Sequence, residues 1–83
     1  MKRVTLYTAR SCSLCGPVRR RLEAVRAELP FELEEVDITG VPELERSYRE
    51  WLPVVEIDGE RAFVYRVDEN ELRRLLAVPA GPR

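Results

Sequence analysis

The chain holds two cysteines and no histidine, and the cysteines stand three positions apart, at Cys12 and Cys15. Two thiols at that spacing suit thiol–disulfide exchange. A thiolate on the first attacks a partner disulfide, and the second displaces the partner from the mixed disulfide so formed. The surrounding stretch, Arg10-Ser11-Cys12-Ser13-Leu14-Cys15-Gly16-Pro17-Val18, lies between a strand-like run and a helix-like run. Free N–H groups and the dipole at a helix N-terminus stabilise negative charge. That lowers a thiol pKa, and the thiolate is the reactive species. On this reading Cys12 lies at the helix start and attacks, and Cys15, nearly one turn further in, resolves. Arg10 supplies a neighbouring positive charge. Ser13 and Leu14, between the sulfurs, are placed to meet a partner and to tune the reduction potential.

Other uses of such a pair compete. A structural disulfide closing so short a loop contributes roughly 2 kcal/mol at most on the chain-entropy model, and a cytosol would reduce it. Zinc takes four Cys, His or carboxylate ligands, and a single cysteine pair without histidine offers no usual set. A dimer sharing an iron–sulfur cluster on Cys12 with glutathione is a further option. Two inert, buried cysteines also fit helical spacing, but they do not explain the strand-then-helix context. Exchange between thiols needs no metal and no organic cofactor, and none is expected. With no histidine as a base, proton transfer falls to water or a carboxylate.

A chain of 83 residues fits one small domain, expected over 1–78 with 79–83 as a flexible tail. Fourteen basic and 15 acidic residues leave a net charge of −1, which favours neither nucleic acid nor an anionic membrane. The apolar runs are only a few residues long, too short to span a bilayer. Met1-Lys2-Arg3 leads through Thr5 and Tyr7 to Arg10 without the apolar core of a signal peptide. A cytoplasmic monomer is expected, where a lone cysteine pair is catalytic or metal-binding.

The elements that must position the pair follow from period and punctuation. Val4-Thr5-Leu6-Tyr7-Thr8 is β-branched and aromatic, a strand. From Cys12 the period changes: Leu14, Val18, Leu22, Val25 and Leu29 make one apolar helix face that Pro30 ends. Pro17 falls several residues inside that helix, which predicts an irregular first turn or a bend. Phe31 and Leu33 alternate with glutamates as a second strand, and the apolar phase slips at Glu35, which a bulge would explain. Thr39-Gly40 breaks it, and Pro42 opens a helix whose buried side is Leu44, Tyr48 and Trp51. Leu52 to Ile57 is a third strand with proline at its entry. Asp58-Gly59 is a hairpin turn returning as Arg61–Tyr65. Asp68 with Glu71 has the acidic form of a capping box and opens a last helix through Leu72, Leu75 and Leu76. The order is β-α-β-α-β-β-α: a parallel βαβ start, then an antiparallel hairpin.

This order, with Cys12-Ser13-Leu14-Cys15 after the first strand and Leu52-Pro53-Val54-Val55 opening the third, resembles the thioredoxin-fold family. It looks most like the small glutaredoxin-like proteins, over roughly residues 4–77. The resemblance implies an α/β fold with a four-stranded mixed sheet and flanking helices. It also implies a cis peptide bond at Pro53, facing the cysteines, with the backbone of Leu52 pairing with the bound partner. Asp68 matches an acid with which glutaredoxins bind glutathione, although it also reads as a plain helix cap. Two positions depart from the pattern. Ala9 stands where glutaredoxins usually carry a basic residue, and Tyr65-Arg66-Val67 occupies the place of a Gly-Gly turn.

The activity so implied is dithiol–disulfide oxidoreduction, acting on protein disulfides or glutathione mixed disulfides. Glutathione as a bound partner stays open. A thioredoxin-fold binding module with a non-catalytic cysteine pair is the alternative from a different class.

Overall fold

Val4, Leu6 and Thr8 alternate along the first strand, and the side they share becomes the core. The computed structural model describes residues 2–77; the expected tail at 79–83 lies outside them. Strand β1 (Arg3–Thr8) pairs in parallel with β2 (Glu32–Asp37) and antiparallel with β3 (Val54–Ile57). Strand β4 (Glu60–Val64) pairs antiparallel with β3, giving the order β2-β1-β3-β4. Among the described residues there are three α-helices: α1 (Cys15–Arg26), α2 (Pro42–Tyr48) and α3 (Glu69–Ala77). A single 3-10 turn, Arg49–Trp51, links α2 towards β3. This is the α/β thioredoxin-like architecture, with a four-stranded mixed sheet.

Helices α1 and α3 cover one face. Val18, Leu22 and Val25 of α1 and Leu72 of α3 close on Val4, Leu6 and Val55, with Phe31 and Val67 completing the cluster. Fully burying a side chain of this size is worth about 1.5–3 kcal/mol, so this face carries most of the hydrophobic stabilisation. On the outside, Arg73 of α3 bonds Glu28 in the turn after α1 (3.0 Å), while Arg21 of α1 reaches Glu69 of α3 (3.6 Å). Such exposed pairs contribute little individually. Helix α2 has no buried residue and lies against the opposite face, where its Tyr48 ring stacks on Tyr7 at 4.1 Å between centroids.

The structure departs from the sequence expectations at several points, each with a local cause. Helix α1 begins at Cys15, not at Cys12; Leu14 is its N-cap and 47% exposed, so the apolar stripe starts at Cys15 and Val18. Pro17 therefore falls in the first turn, where a missing N–H deprives no carbonyl of its partner. No bulge interrupts β2, whose register with β1 is continuous from Glu32 to Asp37. The apparent phase slip arises because both faces are partly covered. Leu33 packs on the helical core and Glu35 shares its side, bonded to Arg19 (3.0 Å), while Val36 points to the α2 side beside Leu44. The bulge lies instead between β3 and β4, where Val55 pairs Phe63 but Glu56 pairs Arg61, leaving Ala62 over. Trp51, placed by its spacing on the buried side of the second helix, is 42% exposed. It sits in the 3-10 turn, whose tighter winding rotates it off the α-helical face. Tyr65 lies one residue past β4.

The hairpin turn follows the expected chemistry. Asp58 and Gly59 both take positive φ (51° and 88°), as the two-residue turn matching strand twist requires.

Candidate functional site

The cysteine pair occupies the loop between β1 and α1. Cys12 N–H donates to the Ala9 carbonyl (3.2 Å), closing a turn at the end of β1, and Val18 N–H donates to the Leu14 carbonyl (3.3 Å) as α1 begins. By helix geometry the N–H groups of Cys15 and Gly16 have no acceptor within the helix. The two cysteines are joined as a disulfide with 5.6 Å between their Cα atoms. Their environments differ: Cys15 is buried in the first turn (3% exposed), while Cys12 is only part-buried.

Cys12 opens onto a groove of about 300 Å³. The loop Ala9–Cys12 forms one wall, Ile38 and Thr39 a second, and Glu45, Arg49 and Leu52 a third. The fold thus brings Leu52 beside Arg10 and Cys12, some forty residues earlier in the chain. Ser13 and Leu14 are exposed on the loop between the sulfurs. Pro53 is buried, and its peptide bond with Leu52 is cis. Asp68 lies elsewhere, on a separate cleft with Arg21, Phe63 and Arg66. Its Oδ1 accepts N–H bonds from Asn70 (2.9 Å) and Glu71 (3.3 Å), the work of a helix N-cap. The Glu71 carboxylate meanwhile bonds Arg74 (3.1 Å).

Arg10 is held through its backbone. Its N–H donates to Thr39 Oγ1 (3.1 Å), and the Thr39 N–H donates to Asp37 Oδ1 (2.9 Å). These bonds clasp the cysteine loop to the turn after β2. The Asp37 carboxyl is held below its usual range, first by the Thr39 N–H, then by the Thr39 hydroxyl, with the Arg10 charge adding to both. Arg20 folds back towards the first turn of α1, its guanidinium 3.7 Å from where a Cβ on Gly16 would stand. The groove itself is lined by two cations, Arg10 and Arg49. Sequence reasoning singled out only Arg10; Thr39, Glu45 and Arg49 enter through the fold. The Asp37-x-Thr39-Gly40 run carried a readable turn signal, whereas nothing in sequence tied Glu45 or Arg49 to Cys12. Among the described residues, no group of three or more Cys, His, Asp or Glu side chains is arranged to hold a metal ion.

An aromatic cluster adjoins this site. Tyr65 takes φ +70°, a left-handed conformation that costs a non-glycine residue roughly 1 kcal/mol. Its N–H donates to the Pro53 carbonyl (2.9 Å) and its hydroxyl to the Glu50 carbonyl (2.8 Å). The Tyr65 and Trp51 rings lie 6.3 Å apart, and the Arg61 guanidinium sits over Trp51 (6.0 Å) and Tyr48 (5.9 Å). Tyr48 donates in turn to Glu56 Oε2 (2.7 Å). Burial, and then this bond to a carboxylate, push the Tyr48 hydroxyl pKa well above its usual value.

A part-exposed cysteine bonded to a buried one at a helix start, on a β-α-β-α-β-β-α fold, defines a thioredoxin-like protein with a close cysteine pair. Comparison with known proteins narrows the class. Residues 3–77 match the glutaredoxin-like domain family (DUF836), and the chain belongs to that family. An uncharacterized protein of Mycobacterium tuberculosis is 34% identical over 79 residues, covering 89% of this chain and 81% of its own. The solution structure of protein Ne2328 from Nitrosomonas europaea is similar at a TM-score of 0.80 and 24% identity, covering 92% of both chains. Mitochondrial thioredoxin 3 of Saccharomyces cerevisiae, in its oxidized form, shares the fold at a TM-score of 0.66 and 16% identity, over 90% of this chain and 76% of that one. The glutaredoxin-like fold and the close cysteine pair together fit a redox role.

Proposed function

We propose that the protein is a dithiol–disulfide oxidoreductase acting on protein disulfides or glutathione mixed disulfides. The observation that carries the reading is the asymmetry of the pair. Cys12 borders a groove with Leu52, while Cys15 is buried behind it. A partner sulfur entering the groove meets Cys12, and Cys15 is reached only through Cys12.

In the reduced protein, the Cys12 thiolate attacks one sulfur of the partner disulfide. That S–S bond breaks, and the departing sulfur takes a proton. Cys15 then loses its proton and attacks the Cys12 sulfur, breaking the mixed disulfide and releasing the second partner thiol. The partner gains two electrons and two protons, and the protein is left as the Cys12–Cys15 disulfide. A dithiol reductant, or two molecules of glutathione, returns it to the starting state. The free N–H groups of the first helical turn, with Arg10 and Arg49 on the groove, favour the thiolate. Glu45, the carboxylate on the groove, is engaged by the Gly40 N–H (2.9 Å) and by Arg49 (3.6 Å), so water carries the protons. The Leu52 backbone aligns the partner. The cycle needs one chain and a thiol-rich compartment such as the cytoplasm.

Intact-mass titration of the purified protein across glutathione redox buffers tests this reading. The expected result is a reversible loss of two hydrogens at one defined poise. Cys12→Ser is expected to abolish disulfide reduction, and Cys15→Ser to accumulate a mixed disulfide on Cys12. If neither species forms at any poise, the pair is inert and the fold serves as a binding module.

A further inference from the structure

We propose that Tyr65 and Trp51 form an aromatic ledge that selects a polypeptide disulfide, one with an apolar or aromatic side chain beside its cysteine, over a small polar thiol. The inference rests on the oxidoreductase reading and names its substrate class. The first argument is conformational. Tyr65 occupies a backbone conformation suited to glycine (φ +70°) while the residue stays 44% exposed. A residue kept for core packing would be buried. This one is strained and presented to solvent, and such strain gathers where a surface does work.

The second argument is where its contacts go. The backbone N–H reaches Pro53, the hydroxyl reaches Glu50, and the ring lies against Trp51. All three fall in the short segment that also carries Leu52 of the Cys12 groove. Tyr65 therefore ties the ledge to the segment that aligns a partner.

The third argument is the distribution of exposed apolar surface. Among the described residues, the large exposed hydrophobics are Leu14, Val41, Trp51 and Tyr65. Leu14 lies between the two cysteines, Trp51 precedes Leu52, Tyr65 bonds Pro53, and Val41 follows the turn of Thr39. Two of the four, Trp51 and Tyr65, have their rings 6.3 Å apart at the Leu52–Pro53 segment, and neighbouring exposed apolar side chains mark an interaction surface. Aromatic ledges gain by covering apolar side chains, which a polypeptide offers on either side of its cysteine. Glutathione, a charged tripeptide, has little to place there.

The test compares kcat/KM for insulin, for a glutathione-linked peptide whose cysteine is flanked only by glycine and serine, and for bis(2-hydroxyethyl) disulfide. Tyr65→Gly is the informative variant, because glycine adopts the required φ without strain and the fold is retained, as a melting curve verifies. Wild type is expected to prefer insulin to the glutathione-linked peptide. In Tyr65→Gly that preference should fall about tenfold, equivalent to 1.4 kcal/mol, and the loss should lie in KM rather than kcat. Trp51→Ala should move the ratio the same way, and Tyr65→Phe, which keeps the ring, should restore most of it. An unmoved ratio in a folded, active Tyr65→Gly protein overturns the inference alone, as does a wild-type preference for the glutathione-linked peptide. If wild type reduces none of the three, the oxidoreductase reading fails and this inference with it.

Discussion

Helix α2 and the turn after it carry Glu45, Arg49 and Leu52 to the cysteine groove, yet α2 has no buried residue of its own. Its attachment to the sheet depends on Tyr48, and Tyr48→Phe tests that dependence. The variant keeps the ring and its stack on Tyr7 (4.1 Å, 12° between planes) and removes only the hydroxyl that bonds Glu56 at 2.7 Å. A hydrogen bond to a charged group contributes about 1.5–3 kcal/mol. This one is only part-buried, and Glu56 keeps a longer bond from Tyr7 (3.4 Å), so the low end applies. The expected loss near neutral pH is about 1–1.5 kcal/mol, which lowers Tm by roughly 5–10 °C in a domain of this size.

The pH dependence gives the same bond a second signature. The Tyr48 pKa is raised in the folded protein, chiefly by burial and then by Glu56. A phenol whose folded pKa exceeds its unfolded value of about 10 stabilises the fold at lower pH and loses that contribution as pH rises above it. The upper bound on that slope is about 1.4 kcal/mol per pH unit, reduced here because solvent reaches the pair. Urea unfolding of both proteins at neutral pH and at about pH 11 measures the effect. The alkaline loss should be shallower in Tyr48→Phe, and a double-mutant cycle with Glu56→Gln should show coupling of about 1 kcal/mol. Equal stability at neutral pH together with parallel alkaline limbs would refute this account of how α2 is held.

Three further outcomes follow from the fold. Leu22 is fully buried between helix and sheet, so Leu22→Ala should cost about 2–5 kcal/mol in chemical unfolding, a large share of the stability of a small domain. Asp68→Ala removes the acceptor for two N–H groups of α3 and should cost about 1 kcal/mol, with kcat/KM on protein disulfides nearly unchanged because Asp68 lies off the Cys12 groove. Pro17→Ala should change stability by no more than about 1 kcal/mol, because Pro17 lies in the first turn, whereas Arg20→Pro, further inside α1, should cost about 3 kcal/mol or more.

Much of the fold was legible because its signals are local. The alternation in β1, the spacing of Val18, Leu22 and Val25, the Asp58-Gly59 turn and the Asp68 cap each act within a few residues. The misreadings came where a residue's surroundings are set by distant chain. Glu35 read as a break in period because sequence alone does not show that Arg19 of α1 stands over it. Val36 read as a slipped core residue, although α2 returns to cover its side of the sheet. Pro17 read as a flaw in a helix because a stripe of apolar residues does not mark where a helix starts. Leu14 kept the spacing yet stands outside the helix as its cap.

The site shows the same division more sharply. Cys12 and Cys15 were legible from their spacing alone, and Leu52-Pro53 from a resemblance, but the surface around them was not. Thr39 anchors the cysteine loop through one hydroxyl that accepts an N–H from residue 10, and only pairing β1 beside β2 makes them neighbours. Tyr65 was visible as a departure from a glycine turn, which by itself argues only that something is missing. The structure gives the departure a physical content. The chain keeps the glycine-like backbone at that point and adds a ring, anchored by two hydrogen bonds to the segment that forms one wall of the groove. On the proposed oxidoreductase reading, a ring held at a conformational cost against the Leu52–Pro53 segment is expected to change which partners reach Cys12. The expected consequence is that substitution at Tyr65 alters partner preference and leaves the formation of the Cys12–Cys15 disulfide unchanged in a glutathione redox titration.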